Sequence, residues 1–315
     1  MEQTVRKDGF FSKTAVVMLG ALICSGLWGS AFPCIKVGYA LFGIGAGEAM
    51  TQILFAGLRF VLAGVMAIVA GSCMRKRLLI PRGRTWGRAA VLSMLQTVGQ
   101  YVLFYIGLAH TTGVKASIVQ GANVFVAIAV ASLVFRKERL TARKMVGSLV
   151  GFAGVVLVNL AGNGSGLRFN FGGDGLVLLS TVCYACSSAV MKDYAKEDDP
   201  LLLSGWQFLI GGVVMTVFGL AFGGRLTTAQ PGAVWMLLFL AFVSAAAYSL
   251  WSTLLKYNPV SRVAVYGFLT PTFGVVLSAL LLKESAALGW AAAGSLVLIA
   301  IGIFIVNTGA KKAAA

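Results

Sequence analysis

The chain has 315 residues, 58% of them hydrophobic and only 11% charged, with a mean hydropathy of +0.88. Soluble domains run at about 45–50% apolar and about 25% charged, so the composition excludes an ordinary soluble fold and points to a polytopic membrane protein. The net charge of +16 is spread in short clusters between apolar runs. That is the pattern of cytoplasmic loops facing anionic lipid, and it excludes a nucleic-acid-binding patch.

A helix needs roughly 20 apolar residues to cross a bilayer. The hydropathy pattern predicts spans at 14–37, 49–73, 89–109, 113–135, 144–161, 174–192, 200–222, 232–256, 260–282 and 287–307. The first is long enough to span and reads as a span, not a cleaved leader. The connections are short; the longest are the basic loop 74–88 and the Gly/Asn-rich loop 162–173. Cys24, Cys34, Cys73, Cys183 and Cys186 lie within or at the end of apolar runs. They read as small packed thiols, not as a disulfide framework or a redox pair.

With a cytoplasmic N-terminus, 20 of the 26 basic residues fall on the inner side. They cluster around Arg6–Lys13, Arg75–Arg88, Arg136–Lys144, Lys192–Lys196, Lys256–Arg262 and Lys311–Lys312. Lys36, Lys115, Arg168, Arg225 and Lys283 remain outside, and Arg59 falls inside a span. The asymmetry places both termini in the cytoplasm.

The first span contains LWGSAFPCIK, Leu27 to Lys36. A shift of 156 residues lays Trp28–Lys36 on Tyr184–Lys192. A shift of 148 lays LRFVLAG (58–64) on WQFLIGG (206–212), NVFVAI from Asn123 on PTFGVV from Pro271, and Asn159 on Asn307. The common order indicates an internal duplication of a five-span unit. Because the unit has an odd number of spans, the second copy enters the membrane inverted. Inverted repeats around a midplane site are a recurring design of secondary transporters.

The stretches LWGSAFPCIK, Arg59–Phe60, KERLT (137–141) and LTPTFGVVLSALLLKES (269–285) together resemble the EamA family of the drug/metabolite transporter superfamily. The resemblance covers residues 14 to 308. It implies an all-α polytopic fold of ten transmembrane helices in two inverted five-helix repeats, 14–162 and 173–309. It also implies that the first four helices of each repeat surround a cavity, with the fifth and tenth peripheral. Asn123 stands where the second repeat has Pro271, so the fourth helix is expected to bend less than the ninth.

Polar groups inside the membrane are costly and each invites a functional reading. Arg59 lies about 15 Å into its span at 1.5 Å per residue. Two roles fit it: a counter-charge for a substrate carboxylate, or a structural arginine near the Pro33 kink. Its repeat partner is neutral Gln207. Gln96 and Gln100 share a face of span three, matched by Ser244 and Tyr248 with Trp251 beyond. Gln120 and Asn123 do the same in span four, matched in span nine by Tyr266, Thr270 and Pro271. With Trp28, Ser30 and Tyr184 these form the expected substrate-binding set, and Pro33 and Pro271 the expected hinges. The alternative for any one of them is interhelical hydrogen bonding, about 0.6 kcal/mol per contact.

Lys36 and Lys192 are read as snorkelling to the interface, and His110 as a loop histidine. All ten carboxylates fall in termini, loops or span ends, with Glu48 the nearest to a buried proton carrier and Glu138 and Glu284 read as helix-end charges. Gly147–Gly151 forms a small-xxx-small pattern, read as close packing on a neighbouring helix or as a homodimer seam. The chain has no Walker loop, H-E-x-x-H or nucleophile elbow, so ATP-driven transport and hydrolysis have no support. The expectation is a non-enzymatic, cofactor-free, monomeric transporter of a small organic metabolite in the cell membrane. Export of amino acids or related metabolites by alternating access is its expected activity. A membrane-embedded enzyme or lipid-handling protein is the alternative.

Overall fold

The structure, a computed structural model, describes residues 9–45, 47–111, 119–160, 170–226, 230–282 and 290–308. Among those residues every regular element is helical. In chain order they are α1 (Thr14–Phe42), α2 (Ala49–Arg75), α3 (84–109) and α4 (Val119–Val134), then α5 (Ala142–Leu160) and α6 (Phe171–Tyr194). There follow α7 (Pro200–Ala221), α8 (Ala233–Tyr257), α9 (260–282) and α10 (Trp290–Thr308). Six of them, α1, α2, α3, α6, α7 and α8, are long and apolar enough to cross a bilayer.

Local chemistry sets the ends. Gly43, at φ 65°, closes α1 with its N–H on the Ala40 carbonyl, the left-handed stop that glycine adopts without strain. Asp199 caps α7 by accepting from the Leu201 N–H at 3.0 Å, and Pro200 occupies the first helical position, where its missing donor costs nothing. In α9 the stretch Val265–Phe268 is a 3-10 turn immediately before Pro271, whose ring removes the bond that would tie it to Gly267.

The ten segments pack in a reciprocal pattern. α2 lies against α7, and α5 against α10; α1 sits on α8 and α9, while α6 sits on α3 and α4. Each relation maps onto another when a helix is exchanged for the one five later. α2 and α7 run antiparallel: Gly57 meets Gly212, Gly64 meets Gly205, and Leu54 meets Gly219. Equivalent helices that pack antiparallel put the two halves in inverted orientation.

The α2–α7 seam rests on glycines spaced seven apart, Gly57, Gly64 and Gly71 facing Gly205, Gly212 and Gly219. Seven residues are two helical turns, so each set lines one face. A Cβ on Gly64 would stand 2.5 Å from the Leu209 nitrogen, and one on Gly212 would stand 2.5 Å from the Val61 nitrogen. Backbone cannot yield as a side chain does. Lipid supplies no hydrophobic drive between helices, so such close backbone approach is what holds them. The seam is centred on Phe60 and Phe208, equivalent residues whose rings stack with centroids 5.1 Å apart and 9° between planes.

Gly147 and Gly154 play the same part between α5 and α10, their Cβ positions falling 2.9 Å from the Gly302 oxygen and 2.8 Å from the Ser295 oxygen. The small-xxx-small pattern is thus used within the chain.

Several expectations shift. α1 continues to Phe42, five residues past the predicted end, and runs unbroken through Pro33; a Pro at this depth leaves the Gly29 carbonyl free without ending the helix. α4 turns at Ala122 and is π-helical over Val130–Val134, so it is irregular without a proline. Lys192 does not snorkel: it is half-buried and donates to the Asn258 carbonyl. Lys115, Arg168, Lys283, Glu284, the termini and most of loop 162–173 lie outside the described residues.

Gly64→Ala and Gly212→Ala are each expected to lower stability by about 1–3 kcal/mol through overpacking. Gly26→Ala, where nothing lies within 4 Å, should leave it unchanged. Thermal unfolding in detergent checks this; equal midpoints for all three would contradict the seam.

Candidate functional site

Arg59 stands on α2 one residue before the Phe60–Phe208 stack and is 4% exposed. Its guanidinium carbon lies 4.5 Å from the Phe60 ring centroid and 5.8 Å from that of Tyr101. Its Nε finds no protein partner, and among the described residues no carboxylate comes within ion-pair distance. The ring faces offset part of the desolvation of the charge, about 2 kcal/mol at such a dry position. Among the described residues this buried cation has no counter-ion.

Aromatic rings extend from this point. Tyr101 packs on Phe60 with centroids 4.6 Å apart, Tyr248 on Phe208 at 4.9 Å, and their hydroxyls lie 3.0 Å apart. Trp28 meets Tyr248 and Trp251, each at 5.0 Å, and bridges the apolar cluster around Phe60 to the one around Tyr266. Tyr184, Tyr39 and Tyr105 belong to the Phe60 cluster. Gly29 lets α1 come this close to α9, since a Cβ there would collide with Phe273.

Amides complete the set. α3 is π-helical over Ser93–Gly99, a distortion that gathers at functional sites. Within it Gln96 accepts from the Gln207 side chain at 3.0 Å, across the two halves, and the Thr97 hydroxyl donates to the Gln207 carbonyl at 3.4 Å. The side-chain carbonyls of Gln207, Gln100, Gln120 and Asn123, the hydroxyl of Thr270 and the indole N–H groups of Trp28 and Trp251 are buried without a protein partner. Unsatisfied buried polar groups are uncommon in native proteins, and each calls for an explanation.

Thus Trp28, Arg59, Tyr184, Tyr248 and Trp251 meet around the aromatic centre, and Gln96 and Gln207 pair beside α2. Tyr266 is packed in the adjoining cluster, where its carbonyl accepts from Ser25 at 3.0 Å. Ser30 is spent locally, its hydroxyl donating to the Leu27 carbonyl at 2.7 Å. Phe208 and Tyr101 are not among the sequence's site candidates, and Phe60 enters there only as part of the family resemblance. Phe60 and Phe208 sit inside the matched LRFVLAG and WQFLIGG, and Tyr101 and Tyr105 have the i,i+4 spacing of one helix face.

Ion pairs gather at the end of the bundle that carries the basic loops. Arg88 pairs with Asp198 at 2.7 Å and with Glu197, Arg75 with Asp199 at 2.5 Å, and Lys137 with Asp193 at 2.8 Å. Each of these joins the first half to the second. Glu138 accepts from the Ser261 N–H at 3.1 Å, from the Ser261 hydroxyl and from Lys144 at 2.6 Å. It therefore caps the start of α9, not its own helix. Burial pushes its carboxyl up, but Lys144 and Ser261 outweigh this and hold it below the ordinary value. At the opposite end Asp174 takes the Asn170 N–H at 2.8 Å and the Thr111 hydroxyl, while Glu48 accepts from the Gly45 N–H in its own loop. His110 bonds the Ile106 carbonyl one turn back.

Two inverted, interleaved halves with a desolvated cation and unpartnered amides between them define an integral membrane protein of the transporter class. The EamA-like transporter family matches residues 15–160 and 171–308. The chain belongs to that family. A probable amino-acid metabolite efflux pump of Salmonella typhimurium is 30% identical, over 95% of this chain and 94% of its own. An uncharacterized transporter of Bacillus subtilis, YvbV, is 29% identical over 96% and 95%. A solved crystal structure shares the fold with a TM-score of 0.77 at 15% identity, covering 96% of this chain and 99% of that one. The family and these relatives are transporters, not enzymes, and the protein is a multi-pass cell-membrane protein.

Gln96→Leu should cost about 1–3 kcal/mol of stability by orphaning the Gln207 amide, whereas Gln96→Leu with Gln207→Leu should recover most of it. A double-mutant cycle on thermal midpoints measures this; additive losses would deny the pair.

Proposed function

We propose that the chain is a secondary exporter of small metabolites bearing a carboxylate, amino acids foremost. In this reading all ten helices cross the membrane as two inverted five-helix repeats, 14–162 and 173–309, with both termini cytoplasmic. A monomer carries the complete path. The observation that carries the reading is Arg59: a cation 4% exposed inside a span, beside the centre of the inter-repeat seam, with no carboxylate supplied by the described protein. A mobile anion answers that deficit, and a guanidinium fork suits a carboxylate. The efflux-pump relative supports the choice of substrate class and the outward direction.

The unpartnered carbonyls of Gln100, Gln207, Gln120 and Asn123 suit an ammonium or amide on the same ligand, and Trp28, Tyr184, Tyr248, Trp251, Tyr266 and Thr270 its apolar body. The repeats rock about the α2–α7 seam, so that the inter-repeat ion pairs at the basic end part when that end opens. Pro33 and the 3-10 turn before Pro271 supply backbone with bonds missing, where α1 and α9 flex against each other.

Reconstituted protein with Arg59→Gln should lose at least about tenfold in flux of an amino acid whose carboxylate pairs with the arginine, since charged hydrogen bonds are worth about 1.5–3 kcal/mol. Flux of the same compound with its carboxylate amidated should be unchanged. Equal loss for both, with wild-type stability, would overturn the assignment of Arg59. Absence of flux across a broad panel for the unmutated protein would overturn transport of this class.

A further inference from the structure

The connection from α4 to α5 forms a shallow, open cleft of about 490 Å³ lined by Leu133, Arg136, Lys137, Glu138, Arg139 and Leu140. The neighbouring charges are already committed. Lys137 pairs with Asp193, and Glu138 is held by Lys144 and Ser261. Arg136 and Arg139 are exposed, and among the described residues neither has a carboxylate within ion-pair distance. The chain is bent for this arrangement. α4 ends in the π-helical turn Val130–Val134, the Lys137 N–H reaches back to the Ala131 carbonyl at 2.8 Å, and Arg136 takes φ 51°. A bulky non-glycine residue rarely adopts that left-handed conformation.

The cleft's rim is apolar on the side of the helices. Leu133 and Val134 are 62% and 68% exposed, and Met145 and Val146 on α5 are 40% and 50% exposed. Two arginines with no protein counter-charge, at a helix end where exposed aliphatic side chains begin, match an amphiphile with an anionic head. We propose that this cleft binds the phosphate of an anionic phospholipid, with Arg136 and Arg139 holding the phosphate oxygens and Leu133, Val134 and Val146 meeting the first acyl carbons. Arginine binds phosphate bidentately, and basic pockets at the ends of membrane helices are suited to such head groups. The apolar rim selects a lipid over free phosphate. The site lies next to the Lys137–Asp193 and Glu138–Ser261 links, so an occupied cleft also steadies the closed basic end.

The test uses the purified full chain in detergent, with short-chain phosphatidylglycerol, short-chain phosphatidylcholine and inorganic phosphate as separate additions. Phosphatidylglycerol should raise the thermal midpoint and remain attached in native mass spectrometry; the other two should do neither. Arg136→Gln with Arg139→Gln should abolish the effect, while Arg77→Gln with Arg82→Gln, an equal charge loss on another basic loop, should keep it. Should the double variant not fold, Arg139→Gln alone should reduce retention severalfold. An equal response to phosphatidylcholine, an equal response to phosphate, or equal loss in the Arg77/Arg82 variant would each overturn the site.

Discussion

The structure depends on the glycine-lined contact between α2 and α7. These are equivalent helices of the two halves, and they meet antiparallel with Phe60 stacked on Phe208 at the centre. Any side chain larger than hydrogen at Gly57, Gly64 or Gly212 would enter the facing backbone, and one at Gly205 would enter the Ile68 side chain. Because lipid tails are as apolar as the helices, the contact cannot be replaced by generic hydrophobic burial. It is also a place where equivalent backbones of the two halves meet directly. The second such contact, between α5 and α10, lies apart from the polar centre and ties the last helices of the two halves together.

Around this seam the sequence halves diverge, and the divergence falls at the candidate site. Phe60 and Phe208 are the same residue in both copies, whereas their predecessors are Arg59 and Gln207. Gln207 is answered by Gln96; among the described residues Arg59 meets the rings of Phe60 and Tyr101 and no carboxylate. A symmetric scaffold thus carries an asymmetric charge. One end of the bundle is tied by ion pairs that cross from half to half, and the other by the bonds of Asp174, Thr111 and Asn170. In the proposed exporter, opening the basic end would separate charges that are partly buried.

Much of this was legible in the amino-acid sequence, because apolar length and lysine placement act locally. α9 begins at the predicted residue 260, and the bounds of α8 differ from the prediction by one residue at each end. The sequence pattern ends the first span at residue 37, beside Lys36, whereas Gly43 is the residue that can adopt the closing conformation. Lys192 was misread for a related reason: a helix-end lysine in lipid snorkels, but this one meets the Asn258 carbonyl of another connection. The duplication was visible, and with it the inversion. The glycine heptads inside it were not, since a single glycine every two turns looks unremarkable until both copies are laid face to face. The Gln96–Gln207 pair, the cap that Glu138 places on α9 and the contact of Arg59 with the Tyr101 ring are relations between distant segments that no local pattern encodes. Ser30 was expected at the site because of its motif, and its hydroxyl is bonded within its own turn.

The central claim is that the two halves move against each other about the α2–α7 seam and that the basic end opens as they do. The most direct measurement joins that end covalently. Lys137→Cys with Asp193→Cys replaces a link of 2.8 Å between the halves. In a chain whose exposed Cys73 is changed to serine, the pair can be bridged by a short, reducible bifunctional thiol reagent. Flux measured in proteoliposomes should stop on bridging and return when the bridge is cleaved, with the thermal midpoint preserved throughout. Undiminished flux through the fully bridged protein would contradict the account.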